Sequence, residues 1–358
     1  MENKGETGFR LSLWMAILNR WIYLRNKAGW SLFTIIFMVV LNFFLFRVLS
    51  GDPARSYHDP RLSPESNKAI LVRFGLDKPV INCVKTINPL RIGGCGVNPF
   101  DTQFFIFVKN LLQGDLGTSF YYNRPVSDVL AERLWNTILL IGGGQLLAII
   151  IGVIFGILAA WKARTAIDYG ALVTGLVAWS LPTFWLGIIL LFWGSNHGFP
   201  IGGRATPGMS SYPFFNQLGD LLWHLWLPTL TYTIVYMGEY MLIMRSSLLD
   251  VLAEDYILTA KAKGLSTFQI LKDHALKNGM LPLVTIIAIN LGYTVGGLIQ
   301  IESVFSWPGL GGALFEAVGR RDFPMLQGGF LLIAFSVIIA NFIADLTYSY
   351  LDPRVQTE

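Results

Sequence analysis

The stretch Thr137–Trp161 reads TILLIGGGQLLAIIIGVIFGILAAW and contains no charged side chain. A membrane-spanning α-helix needs about 20 consecutive, mostly apolar residues. Five further stretches meet the same requirement: Trp30–Leu49, Tyr169–Trp193, Leu222–Met244, Leu281–Ile301 and Leu326–Tyr350. The sequence therefore predicts an all-α integral membrane protein with about six transmembrane helices.

The composition agrees with this prediction. Of the 358 residues, 53% are hydrophobic and 14% are charged, whereas soluble domains carry roughly 25% charged residues. The net charge of +4 could suggest nucleic acid as a partner. However, the basic residues flank the apolar stretches instead of forming one patch, so we expect membrane lipid and no nucleic acid.

The distribution of Lys and Arg predicts the orientation. Basic residues are frequent in the N-terminal tail, after the second predicted span and after the fourth, and such residues favour the cytoplasmic side. Long loops translocate largely regardless of charge, so the basic residues of the long segment after the first span do not change this assignment. We therefore expect a multi-pass membrane protein with both termini in the cytoplasm.

These assignments divide the chain into five segments. Residues 1–29 form a cytoplasmic tail, in which an interfacial amphipathic helix around Trp14 and Trp21 competes with a disordered basic tail. Residues 30–49 form the first span, which we interpret as an uncleaved helix and not as a signal peptide. Residues 50–133 form an extracytoplasmic subdomain. Residues 134–351 form a five-helix core with a cytoplasmic loop at 245–278, and residues 352–358 form a cytoplasmic tail.

The two cysteines, Cys83 and Cys95, both lie in the predicted external subdomain. Outside the cytosol, two cysteines at this spacing can close a disulfide loop, which would contribute on the order of 3 kcal/mol in the chain-entropy model. The alternative is two unpaired thiols. We predict the disulfide.

Motifs for catalysis or metal binding are absent from the sequence. It contains no GxxxxGK[ST] phosphate loop, no HExxH and no GxSxG, and its four histidines are far apart. We therefore predict no catalytic residue, no metal site and no cofactor in this chain, and we do not expect an enzyme.

Three polar residues inside predicted spans are functional candidates, because ionisable groups in a membrane are expensive. They are Glu239, Asn290 and Asp345. A proton or ion relay competes with structural pairing, for example of Glu239 with Arg245. We favour pairing, because two acids near the cytoplasmic ends of their spans are too few to relay a proton or ion across the membrane.

Two pairs of glycines at GxxxG spacing lie in the second and fifth predicted spans: Gly152 with Gly156, and Gly292 with Gly296. Small residues at this spacing let helix backbones approach closely. The pairs predict helix packing, either within the chain or against a partner subunit.

The cytoplasmic loop Arg245–Asn278 is compact and has helical periodicity. It predicts a helix over Asp255–Ala262, an end to that helix at Gly264, and a second helix over Thr267–Leu276. An ordinary loop would contain more Pro and Ser. The pattern is typical of a docking element that is held rigidly against the spans.

The stretch 255–265, DYILTAKAKGL, resembles the EAA loop of the permeases of ATP-binding-cassette importers. Ala260, Gly264 and Leu276 occupy the Ala, Gly and Leu positions of that motif. Leu258 replaces its Glu, and Lys277 replaces its last Pro. Both departures resemble the dipeptide, oligopeptide and nickel branch of the family.

Blocks that resemble the same branch recur in order along most of the chain: Gly51–Pro53, Phe74–Pro79, Gly114–Ser119, Ser180–Gly187, His224–Pro228, Arg245–Leu249, Phe305–Gly311, Asp322–Gly328 and Leu351–Arg354. The resemblance implies half of a translocation pathway that works by alternating access. Its implied partners are a second homologous permease, two cytoplasmic ATPase subunits that hold ATP and Mg, and an extracytoplasmic substrate-binding protein.

The resemblance also implies residues that dock the ATPases: Tyr256, Ala260, Ala262, Lys263, Gly264 and Leu265. Peptides are the expected substrates, and oligosaccharides or nickel are alternatives carried by similar permeases. An ion-gradient-driven secondary transporter is the alternative from another class. It predicts uptake without an ATPase.

Overall fold

The computed structural model describes residues 25–46, 63–65, 102–294 and 298–351. Side chains within the last helix are described at positions up to 343 and at 346. The predicted interfacial helix around Trp14, both cysteines and the side chain of Asp345 lie outside the described residues. The part of the chain that is described is helical apart from turns, loops and one isolated antiparallel bridge between Thr118 and Pro125.

We number the main helices of the described residues in chain order. They are α1 (Arg25–Phe46), α2 (Gln103–Leu112), α3 (Val126–Trp161), α4 (Ala166–Ser180), α5 (Thr183–Ser195), α6 (Phe214–Leu252), α7 (Asp255–Ala262), α8 (Thr267–Gly279), α9 (Leu281–Thr294), α10 (Ile299–Val304), α11 (Leu310–Arg320) and α12 (Phe323–Leu351). Helices α3 and α8 contain π-helical turns at Ile138–Gly142 and Ile270–Ala275.

Helices of membrane-spanning length and composition occur where five of the six spans are predicted. Three are single helices, Arg25–Phe46, Val126–Trp161 and Phe323–Ile343. Two are bent pairs, α4 with α5 and α8 with α9. The predicted fourth span lies within α6, which length and composition do not select as a span. The count of six therefore stays a prediction.

The predicted third span, Tyr169–Trp193, is wrong as a continuous helix. It is broken between Ser180 and Thr183, and the two halves meet at 96°. The cause is Pro182: the residue before a proline disfavours helical backbone, and Leu181 is accordingly extended, with φ −72° and ψ 129°. A proline cannot donate the next helical hydrogen bond, so α5 starts afresh after Pro182.

The predicted fifth span, Leu281–Ile301, is also interrupted. Helix α9 ends at Thr294, and Leu298 has a non-helical backbone (φ −113°, ψ 88°) before α10 begins at Ile299. The predicted span is therefore not continuous at Leu298, and residues 295–297 lie outside the described residues.

The chain forms two compact units. The first comprises the described residues within Met1–Leu32, Asn136–Gly312 and Ser336–Glu358. Its centre is the packing of α3 on α6. A methyl group at Gly152 would lie 2.6 Å from the carbonyl oxygen of Met237, and one at Gly156 would lie 2.7 Å from that of Met241. The first predicted glycine pair therefore packs helices within this chain.

The second unit comprises the described residues within Phe33–Trp135 and Ala313–Phe335. Phe43 is fully buried there, with its ring 5.3 Å from that of Phe104. A methyl group at Gly328 would lie 2.7 Å from a methyl carbon of Val126. Aromatic and aliphatic packing therefore holds α1, α2, the start of α3 and the start of α12 together in this unit.

Candidate functional site

The predicted docking element begins with α7, whose ends, Asp255 and Ala262, are as predicted. Gly264 follows in the left-handed region, with φ +78°. The N–H of Gly264 donates to the carbonyl of Lys261, and the N–H of Leu265 donates to that of Ala260. These two bonds form a Schellman motif, which requires a residue that tolerates positive φ. The predicted end of the helix at Gly264 is confirmed.

The second helix of the element, α8, begins with a capping box. The N–H of Gln269 donates to the hydroxyl of Ser266 (3.3 Å), and the N–H of Ser266 donates to the side-chain oxygen of Gln269 (2.9 Å). This exchange satisfies backbone donors at the helix start. Helix α8 runs to Gly279, three residues beyond the predicted Leu276.

One face of the docking element is buried against the predicted spans. Ile257 and Ala275 are fully buried, and Ala260, Ile270 and Leu271 are nearly so. They join a single apolar cluster with residues of α3, α6 and α9: Ala148, Ala160, Tyr240, Met244, Leu248 and Leu283. Because fully burying one aliphatic side chain stabilises by roughly 1.5–3 kcal/mol, this cluster fixes α7 and α8 to the long helices.

The other face of the element is exposed. Among the predicted docking residues, Tyr256, Ala262, Lys263 and Gly264 are exposed, Leu265 is half-buried, and Ala260 lies in the apolar cluster. Ala260 is therefore not accessible to a docked protein and can contribute only by packing α7 against the long helices. Its docking role, like that of the other five residues, stays a prediction.

Two large apolar side chains outside the predicted set extend the exposed face. Leu258 is 66% exposed, Phe268 is 59% exposed and Tyr256 is 39% exposed. We call these three exposed residues of the docking element the coupling patch. Large exposed apolar side chains are candidates for contact with a partner. The family motif has Glu at the position of Leu258 and therefore does not predict an exposed apolar residue there.

The structure brings together two of the three predicted intramembrane polar residues. The side-chain amide of Asn290 donates to a carboxylate oxygen of Glu239 (3.1 Å) and to the hydroxyl of Tyr240 (2.9 Å). Tyr240 also accepts from the amide of Gln145, whose oxygen accepts from the hydroxyl of Tyr232. We call these five residues the polar network. The third candidate, Asp345, lies outside the described side chains.

The suggested pairing of Glu239 with Arg245 is wrong. Arg245 instead forms a two-pronged ion pair with Asp168 of α4, with an Nη2 to Oδ2 distance of 3.0 Å. The reason is helix geometry: residues six apart on an α-helix point in different directions, whereas residues three or four apart share a face. Asp168 has 1% of its surface exposed, and the guanidinium satisfies its buried charge.

A family model described as "Binding-protein-dependent transport system inner membrane component" matches residues 152–357. The chain belongs to this family. It is thus a membrane-embedded transport subunit, in agreement with the predicted all-α membrane fold.

Relatives of this permease-family chain match nearly its whole length. A putative peptide permease of Brucella suis is 36% identical over 324 residues, which cover 89% of this chain and 94% of the relative. The oligopeptide transport permease AppB of Bacillus subtilis is 32% identical over 337 residues, covering 93% and 99%. The dipeptide transport permease DppB of Escherichia coli K12 is 32% identical over 353 residues, covering 93% and 98%.

A further polar centre of this permease-family chain was missed by sequence reasoning. Glu302 of α10 is 1% exposed, and its carboxylate accepts from the hydroxyl of Thr137 (2.7 Å) and the N–H of Gly312 (2.7 Å). Negative charge is stabilising at a helix N-terminus, and Gly312 lies in the first turn of α11. A methyl group at Gly309 would collide with the carboxylate. The sequence offered one clue, an acid shortly before a Pro-Gly turn and a new helix.

In the second unit, two of the quoted sequence blocks meet at Asp322. Its carboxylate accepts from the hydroxyl of Ser119 (2.5 Å) and from the N–H of Tyr121 (3.1 Å), and both Asp322 and Ser119 are buried. Nearby, the hydroxyl of Tyr122 donates to Glu316 (2.9 Å). Burial and this hydrogen bond raise the pKa of Tyr122 to about 12.

Proposed function

We propose that this chain is the permease subunit of an ATP-binding-cassette importer of di- or oligopeptides. It would form half of the translocation pathway by pairing with a second homologous permease, and the pathway would open alternately to each side. The three relatives support the substrate class, since all of them are named for peptide, oligopeptide or dipeptide transport. None of these three is named for oligosaccharides, nickel or ion-gradient transport.

The observation that carries the coupling part of this proposal is the two-faced docking element. Its inner face is part of the apolar cluster with α3, α6 and α9, and its outer face carries the coupling patch. A soluble ATPase that binds the patch would therefore act on a surface fixed to the predicted spans. We propose two such ATPases in the cytoplasm, one for each permease, with ATP and Mg bound in those subunits.

The proposed orientation places the docking element and both termini in the cytoplasm. Lys261, Lys263, Lys272 and Lys277 all lie in this element, and basic residues close to span ends favour the cytoplasmic side. The opposite side would receive peptide from an extracytoplasmic binding protein. Tags at the N-terminus and at residue 208, probed in intact cells with an impermeant label, test this orientation.

Co-purification tests the assembly. The chain is tagged, extracted in mild detergent and its partners are identified by mass spectrometry. We expect a second permease, ATPase subunits in equal number to the permeases, and a binding protein. The reconstituted complex should accumulate tri-alanine only with ATP. A chain that purifies alone and transports tri-alanine in response to an ion gradient would overturn the proposal and support a secondary transporter.

A further inference from the structure

We propose that the carboxylate of Glu239 binds the α-ammonium group of a peptide as it passes through the permease. This inference rests on the proposed peptide import and adds to it a residue that touches the substrate. It derives from the geometry of the polar network and from the chemistry of the acceptors that the network leaves open.

Glu239 is a half-buried acid within the predicted fourth span. Its Oε2 atom accepts one hydrogen bond, from Asn290. Within the described part of the chain, no Lys, Arg or His lies within ion-pair distance of this carboxylate. A charge at membrane depth is expensive unless it faces a cavity or a partner, so an acid at this position is a functional candidate by default.

The network holds this carboxylate in place and fixes the direction of its hydrogen bonds. An ionised carboxylate only accepts, so the nitrogen of the Asn290 side chain must face Glu239. The same nitrogen donates to Tyr240, so both of its hydrogens are used. The side-chain oxygen of Asn290 is then free of those two contacts and adds an acceptor beside Glu239. The site therefore offers acceptors and negative charge.

The buried end of the network makes this arrangement rigid. Gln145 is 1% exposed and bonds to both Tyr232 and Tyr240, and Tyr240 is fully buried. Aromatic contacts beside the network add to this rigidity. The rings of Tyr232 and Tyr236 stack at 4.2 Å, and Trp179 and Tyr236 meet edge to face at 5.8 Å. The network and these contacts together involve helices α3, α4, α6 and α9.

A primary ammonium group fits these features. It carries three donors and a positive charge, which a carboxylate and an amide oxygen can satisfy with charge-assisted hydrogen bonds. Tyr236 lies three residues before Glu239 on the same side of α6, so its side chain adjoins the site. Every peptide with a free N-terminus presents such a group.

A metal ion fits less well. Among the described residues, no group of three or more His, Cys, Asp or Glu side chains converges on one point. The remaining network members are an amide and phenols, which bind divalent metals weakly in comparison with carboxylate or imidazole groups.

The test compares two peptides that differ only in this group. The complete importer is reconstituted in liposomes, and ATP-driven uptake of tri-alanine and N-acetyl-tri-alanine is measured, each at a concentration that saturates the binding protein. In the native complex we expect tri-alanine to be transported faster. Glu239→Gln should slow tri-alanine uptake about tenfold, to the rate of the acetylated peptide, and leave that rate unchanged. Glu239→Asp should retain part of the preference.

The controls separate binding from folding. Asp128→Asn removes an exposed acid from the start of α3, outside both the docking element and the polar network, and should alter neither rate. ATP hydrolysis stimulated by the binding protein should persist in Glu239→Gln. An equal fall for both peptides would show a structural role, and an unchanged preference would show no role. Either result overturns the inference while the importer proposal stands. If the native complex takes up neither peptide, the importer proposal itself fails.

Discussion

The coupling patch exposes apolar side chains, whereas the polar network places polar side chains within predicted spans. The patch places Tyr256, Leu258 and Phe268 on a surface that we expect to face water. The network places the carboxylate of Glu239 and its partner, the side-chain amide of Asn290, within the predicted spans. Exposed apolar groups and intramembrane polar groups are both unfavourable without a partner. We therefore expect each region to be completed by something outside this chain, a protein at the patch and a substrate at the network.

The two regions also differ in what supports them. The helices that carry the patch are held by an apolar cluster, and apolar packing is not directional. The network is held by directional hydrogen bonds through Gln145, Tyr240 and Asn290. Changes at the patch should therefore alter how strongly a partner binds, whereas changes in the network should alter which ligand is accepted.

The largest effect should come from Gly264→Asp, which separates the two regions functionally. A non-glycine residue in the left-handed region is strained by about 1–2 kcal/mol, and a negative charge is unfavourable at a helix C-terminus. We expect membrane insertion to be normal, ATP hydrolysis to be uncoupled from uptake, and peptide uptake to fall at least about tenfold. The measurements are uptake and ATP hydrolysis in proteoliposomes.

Gly208→Asp is the matched control for that variant. Gly208 has φ +84° in a loop, and a methyl group added to it would have no heavy atom within 4 Å. The substitution introduces similar backbone strain and the same charge away from α7, so uptake should stay within about twofold of native. Normal uptake by Gly264→Asp would contradict the docking assignment.

Gly152→Val should damage both regions together, because α6 supports both. A methyl group at Gly152 already lies 2.6 Å from backbone, so α3 and α6 must separate. Overpacking of this kind typically costs about 1–3 kcal/mol, which for a chain of this length corresponds to a lower melting temperature by about 1–4 °C. Thermal unfolding of the purified complex measures this shift. Gly143→Val, on the same helix in open space, should shift it far less.

The double substitution Leu258→Ser and Phe268→Ser should affect the patch alone. Removing exposed apolar area from an interface weakens binding, and we expect an approximately fivefold to tenfold lower affinity for the ATPase subunits. Phe215→Ser serves as the control, since Phe215 is 81% exposed at the start of α6 and outside the patch. Titration of the ATPase onto immobilised permease gives both affinities. Equal loss in patch and control would disprove a specific surface.

Tyr122→Phe should have the smallest effect, because Tyr122 belongs to neither region. Its pKa is about 12 in the folded chain and about 10 in an unfolded one. The folded state therefore favours the protonated phenol, and this stabilisation is complete below pH 10 and lost as the pH rises toward 12. Between pH 8 and 11, the native protein should lose more thermal stability than Tyr122→Phe. An identical decline would show that this phenol does not contribute.

The sequence predicted the features that depend on local patterns. Helix α7 follows from its own periodicity, and its end follows from the conformational freedom of Gly264. The close packing at Gly152 and Gly156 follows from their small size and spacing. The family resemblance is confirmed by the match over residues 152–357. In each case the deciding information lies within a few adjacent residues.

The features that the sequence did not predict depend on residues far apart in the chain. Glu239 and Asn290 are separated by 51 positions, and Gln145 lies 95 positions before Tyr240. A pattern along one helix cannot specify such partners, so the assignment of Glu239 to Arg245 failed. The break at Pro182 was locally predictable, but apolar content was weighted above the backbone restriction of proline.

Helix α6 spans 39 residues as one element, with Pro228 inside it. At 1.5 Å per residue, the part from Pro228 to Leu252 is about 37 Å long, so a tilt of about 5° at the proline would move its C-terminal end by about 3 Å. Glu239 lies near the middle of that arm and would move about half as far. Pro228 cannot donate a helical hydrogen bond, so α6 should bend most easily at that residue. If α6 bends there, a movement at Leu248 would shift the carboxylate of Glu239 by a smaller distance in the same direction.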